Sequence, residues 1–204
     1  MALTPSSTDI DICARALVMV GANPISSFTD GSTEALIASN TYEDNIRSDL
    51  TMTRWRFATG QKQLSRLTDA PLGRFSSAYQ IPSDSLVINA LTIGGNLVLY
   101  DRYEDMLYCD ASSTDVVIAD YTYRADESNW PPYFTLVAQL HMSVVFSAAI
   151  ARNETMQQAF FGQYANQMRI AKSLDSQAQS ARKLVTNRYS NQRNSTGSHS
   201  FRTS

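Results

Sequence analysis

The sequence predicts an α+β protein: a bundle of about four helices, a small antiparallel β-sheet domain inserted into it, and an extended carboxy-terminal arm. Three observations carry that expectation. Apolar residues recur every three or four positions over about residues 10–53 and again after Trp130, the spacing that places them on one stripe of a helix. From Phe75 onward the period shortens towards two and β-branched residues accumulate, as in half-buried strands. Beyond Val185 the chain turns to Ser, Asn, Thr and Arg, with too little apolar surface to bury for a packed core. The expected division is therefore a helical bundle from residues 1–70 and 128–186, a β domain at 71–127, and an arm at 187–204.

The first helix is expected over about residues 10–20. Thr8 and Asp11 have the three-residue spacing of a capping box, in which each side chain satisfies the other's backbone N–H, and Gly21 with Asn23-Pro24 stops the helix. A second helix over about 32–53 carries Ala35, Ala38, Tyr42, Ile46 and Leu50 on one stripe, with a polar opposite face. The aromatic cluster that follows, Trp55 and Phe57 with Leu64, reads as the core closing this helix pair.

In the β region, residues 86–93 and 97–100 flank Gly94-Gly95-Asn96. That is a hairpin signal, because glycine accepts the positive φ that a tight primed turn requires. Further strands are expected at 106–109 and 116–123, the latter alternating Val117, Ala119, Tyr121 and Tyr123 against Ile118, Asp120 and Thr122.

Ser128-Asn129-Trp130-Pro131-Pro132 reads as a helix start, since a proline at the first helical position gives up an N–H that would be unpaired anyway. The helix that follows, to about residue 152, is apolar almost all round (Phe134, Leu136, Val137, Leu140, Val144, Val145, Phe146, Ile150) and should lie centrally. Thr135, Gln139, His141, Ser143 and Ser147 interrupt it before any run reaches the length of a membrane span, so no membrane partner is expected. A last helix starts at Asn153-Glu154 and runs to about residue 184, with Phe160, Tyr164, Met168, Ala171, Leu174, Ala178 and Ala181 on its stripe.

Composition narrows the function classes. At 204 residues the chain can bury an independent core, and its 18% charged content leaves surface for protein contacts. The opening residues have neither the basic region nor the apolar run of a secretory signal, so the cytoplasm is the expected place of synthesis. The net charge of −2 conceals an asymmetry. The stretch from Arg182 to Ser204 holds five basic residues and no acid, leaving 12 basic and 19 acidic residues, a balance of −7, for the body.

Material for chemistry is poor, and no catalytic residue, metal or cofactor is assigned. The two histidines are His141, read as a satisfied core side chain, and His199 in the arm. Cys13 and Cys109 lack redox or metal spacing and read as small buried hydrophobes. Asp101 with Glu104-Asp105 reads as a solvated turn, and Gly94-Gly95 lacks the lysine of a phosphate-cradling loop. Carboxylate-pair hydrolysis remains the enzymatic alternative, because two acids distant in sequence can converge in space. In the arm, Arg188, Arg193 and Arg202 with Tyr189 and Phe201 offer either phosphate contacts with stacking or a docking peptide. Five charges over 23 residues is sparse for nucleic acid and favours a protein partner.

The motifs also occur in a telling order. A helix precedes Gly21 to Phe28, a long helix precedes Trp55-Arg56-Phe57-Ala58, and then come Tyr79-x-Ile81-Pro82-x-Asp84-x-Leu86, strands ending at Tyr121-x-Tyr123, and Trp130-Pro131-Pro132-x-Phe134 before two helices. In this order, over about residues 10–184, the chain resembles the head-to-tail adaptor family of short-tailed bacteriophages, also called tail tubular protein A. The resemblance implies a structural virion protein assembled in the host cytoplasm: a dodecameric ring joining the portal protein to the tail nozzle protein, with double-stranded DNA passing through its lumen without sequence-specific binding. It also implies that the arm reaches the portal, which makes Arg188, Tyr189, Arg193, Phe201 and Arg202 the expected portal-binding residues. A head-completion or connector protein of a long-tailed phage is the alternative within the same class, and a peptidoglycan-cleaving virion enzyme the alternative outside it.

Overall fold

Among the described residues, four α-helices surround one core, and seven short strands form two antiparallel sheets beside it. The computed structural model describes residues 8–68 and 73–178. Helix α1 (Asp9–Met19) opens with the expected capping box: the Asp11 N–H donates to Thr8 Oγ1 and the Thr8 N–H donates to Asp11 Oδ2, both at 3.1 Å. Helix α2 (Thr33–Thr51) is capped by Ser32, whose hydroxyl accepts the Ala35 N–H at 3.1 Å. Such caps contribute about 1 kcal/mol each. The expected stripe from Ala35 to Leu50 is buried throughout.

Helix α3 (Pro132–Ala149) begins with proline at its first position and packs against α1, α2 and α4 (Glu154–Gln177). It supplies the centre of the core through Phe134, Val137, Met142 and Phe146. The Phe134 ring lies 4.8 to 5.1 Å from the rings of Phe57, Trp130 and Trp55, so one aromatic cluster joins the chain entering the sheets to the chain leaving them. Burial of α3 is not complete: Leu136 is exposed, and the buried side also takes Ser143 and Ser147, whose hydroxyls turn back to the Gln139 and Ser143 carbonyls. Among the described residues no helix is long and apolar enough to cross a membrane.

The strands are β1 (Thr59–Gln63), β2 (Ser77–Gln80), β3 (Ser85–Ile93), β4 (Asn96–Val98), β5 (Tyr100–Tyr103), β6 (Met106–Cys109) and β7 (Val117–Tyr123). One sheet has the order β1-β7-β3-β4 and the other β2-β6-β5. The β3–β4 turn is the expected one: Ile93 pairs with Asn96 across Gly94 and Gly95, at φ +56° and +83°.

Several expectations are corrected. The β structure begins inside the segment read as helical, since β1 at Thr59–Gln63 lies within residues 1–70 and pairs with β7 along its whole length. Its sequence, Thr-Gly-Gln-Lys-Gln, has no apolar alternation because it is an exposed edge strand. Leu64 accordingly belongs to the sheet core with Tyr79, Leu91, Leu107 and Val117, not to the helix core with Trp55. The expected strand at 97–100 is divided, because β4 ends at Val98 and β5 starts at Tyr100, and this crossing produces two sheets where one was expected. Alternation along β7 fails at Thr122, which is buried and accepts from Asn89 Nδ2 at 3.1 Å beside a register shift in β3. On α4 the stripe holds through Ala171 and then moves to Asp175, leaving Leu174 and Ala178 exposed. Ala181, the expected end of that helix and the arm lie outside the described residues.

Candidate functional site

Three polar networks fasten the helices together and to the sheets. In the first, Asp49 on α2 is fully buried; its Oδ2 lies 2.9 Å from His141 Nδ1 on α3, and its Oδ1 accepts the Tyr164 hydroxyl of α4 at 2.7 Å. The Asp49 carbonyl accepts Trp55 Nε1–H at 2.9 Å, and the His141 ring lies over that of Tyr164 at 4.6 Å. Burial, with the Asp49 charge second, pushes the Tyr164 phenol well above its usual range.

In the second network, the Arg124 guanidinium, just after β7, bridges Glu127 at 2.5 Å and Glu43 of α2 at 3.1 Å while lying 5.4 Å from the Trp130 ring. Glu127 also accepts the Tyr42 hydroxyl at 2.9 Å. In the third, Asp175 accepts the Tyr133 hydroxyl at 2.8 Å and the Arg56 backbone N–H at 3.2 Å, so α4 caps the chain where it leaves α2. That bond gives the α4 stripe a reason to end on an acid, since a part-buried hydrogen bond of this kind contributes about 1 kcal/mol.

His141 is bonded as the sequence suggests, but it is half-buried at the margin of the core rather than inside it, and its partner is Asp49. An oriented Asp–His pair supplies half of a nucleophile-activating constellation. Among the described residues the hydrogen bonds of His141 end on Asp49, with no hydroxyl or thiol nucleophile joined to the ring. Both cysteines are buried; desolvation pushes the Cys13 thiol up to about 12 and raises Cys109, which keeps them in the unreactive thiol form. No three His, Cys, Asp or Glu side chains converge as a metal set among the described residues. Asp101, read as part of a solvated turn, lies instead on β5 in an ion pair with Arg74 at 2.6 Å. Glu104 and Asp105 do form the exposed β5–β6 turn, with Glu104 at φ +53°.

Two surface features among the described residues offer room for recognition. A cleft of about 540 Å³ opens where the sheets meet, walled by the end of β1 and the residues after it (Lys62 to Ser65), the end of β2 and the residues after it (Gln80 to Ser83), Arg102 of β5 and Asp105 of the β5–β6 turn. The second feature is the crossing between sheets, where Leu97 is 78% and Leu99 88% exposed on a segment whose strands are both sheet edges.

No family model matches this sequence, and no curated protein matches it either. The surfaces must therefore be read from their own chemistry. The arm residues Arg188, Tyr189, Arg193, Phe201 and Arg202 lie outside the described residues, so the structure does not bring them to any of these sites.

Proposed function

We propose that this protein is a structural connector of a bacteriophage virion, a head-to-tail adaptor whose copies form a ring between portal and tail nozzle around the path of the DNA. The observation that carries the reading is the placement of large apolar side chains at unpaired sheet edges: Leu97 and Leu99 stand almost fully out of the β4–β5 segment. Single exposed leucines are ordinary, but apolar residues on an open strand edge invite pairing with another chain, and monomeric proteins usually blunt such edges with charge or proline. A neighbouring copy in a closed ring covers an edge of this kind.

The quoted motifs also fall at structural junctions. Trp55 sits at the exit from α2, Pro82 after β2, Tyr121 and Tyr123 in β7, and Pro131-Pro132 at the start of α3. Electrostatics suit a channel wall, since a body of −7, repeated around a ring, repels phosphate and avoids the counterion-release binding that would retard a passing genome. The arm, with its opposite sign, would attach to the portal, and copies around a ring would reinforce contacts that are individually weak.

Electron microscopy of the purified protein mixed with portal tests the reading. Rings stacked on a common axis are expected; particles in which portal rings stay bare would overturn it.

A further inference from the structure

The cleft between the two sheets has the makings of a strand-docking site. Lys62 and Arg102 both line it, and neither makes an ion pair among the described residues. The one acid in its lining is Asp105, so a locally cationic cleft sits on a body of net negative charge. The turn is bonded to its neighbours: the Asp105 carbonyl accepts the Ile81 N–H and Gln80 Nε2–H, each at 3.2 Å, and the Glu104 carbonyl accepts from Arg102 Nε at 3.3 Å.

The wall formed by β1 is the free edge of its sheet as far as Gln63; beyond it the Ser65 carbonyl accepts the Gln80 N–H and the chain bridges to β2 at Arg66 and Tyr79. Ala58 and Leu64 direct their backbone bonds towards β7, accepting from the Tyr123 N–H and donating to the Val117 carbonyl respectively. The alternation of an antiparallel ladder then turns the N–H and C=O groups of Gln61 and Gln63 away from β7, towards the open side. Pro82 and half-buried Ile81 give the cleft an apolar floor.

We propose that this cleft binds an extended acidic segment of a partner protein, added as a strand alongside β1, with carboxylates meeting Lys62 and Arg102 and an apolar side chain resting on Ile81 and Pro82. Main-chain pairing supplies affinity and the alternate side chains supply selectivity. A small free anion would use the cations but leave the Gln61 and Gln63 edge unpaired, so the combination favours a peptide. Ring formation is not required, because every group in the cleft belongs to one copy.

The test titrates the isotope-labelled full chain with a synthetic peptide of alternating glutamate and valine, and separately with its lysine-for-glutamate counterpart and a short DNA duplex. The acidic peptide should bind, shift the Gln61 and Gln63 amide resonances, and lose roughly tenfold or more in affinity when Lys62→Glu and Arg102→Glu are combined. Both side chains are exposed, so the fold should survive, and Lys62→Gln with Arg102→Gln gives a milder pair should it not. Gln63→Pro, which removes an edge N–H, should also weaken binding. Absence of binding, equal binding of the lysine peptide, preference for the duplex, or affinity indifferent to charge reversal would each overturn the proposal.

Discussion

His141 Nδ1 lies 2.9 Å from Asp49 Oδ2 across the α2–α3 interface, and the second oxygen of the same carboxylate accepts the Tyr164 hydroxyl from α4. One buried acid therefore ties three helices together. Replacing it strands two donors in the core, and Asp49→Ala should lower stability by about 3 kcal/mol in denaturant unfolding. Asp49→Asn keeps an acceptor and should cost less. An unchanged unfolding midpoint for Asp49→Ala would show that the network is not a tie.

Tyr42, Tyr133 and Tyr164 are all raised above the usual phenol range, in each case first by burial and then by a neighbouring carboxylate. In the unfolded chain these phenols ionise near pH 10, while the folded state holds their protons at higher pH. Their contribution to stability is therefore complete below about pH 10 and is lost as pH rises beyond it. Unfolding free energy measured across that range should fall steeply, and combining Tyr→Phe at the three positions should flatten the slope. A slope unchanged by the substitutions would refute the assignment.

Gly95 at φ +83° cannot accept a β-branched residue without strain, so Gly95→Val should cost about 1–2 kcal/mol. Gly94 at φ +56° suits asparagine, and Gly94→Asn should be nearly neutral. Thermal unfolding of the two variants checks the turn directly. Equal losses would argue against the primed geometry.

Three helices were legible from their starts and apolar faces, and α3, which has no side-chain cap, from Pro131-Pro132 and its apolar run. Thr8 and Asn153 mark two starts, the structure adds Ser32 as the cap of α2, and the α2 stripe is buried as read. β1 was not legible, since an edge strand exposed along much of its length needs no apolar period. The α4 stripe ends on Asp175 because a backbone N–H 119 residues away requires an acceptor, information that no local window holds. The role of Asp49 is hidden from the sequence for the same reason: its partners lie 92 and 115 residues away. The cleft is likewise assembled from three separate segments. The hairpin, by contrast, was written in two adjacent glycines.

Leu97 and Leu99 contribute little to the core, so Leu97→Lys with Leu99→Lys should leave thermal stability nearly unchanged while abolishing association between copies. Sedimentation of the double variant checks this. Assembly that persists would move the contact elsewhere.

We propose that copies of this chain work as a ring against a portal. The most direct measurement is the mass of the purified full chain alone and after mixing with portal. A multi-copy complex of fixed stoichiometry with the portal is expected, and a persistent monomer in both samples would contradict it.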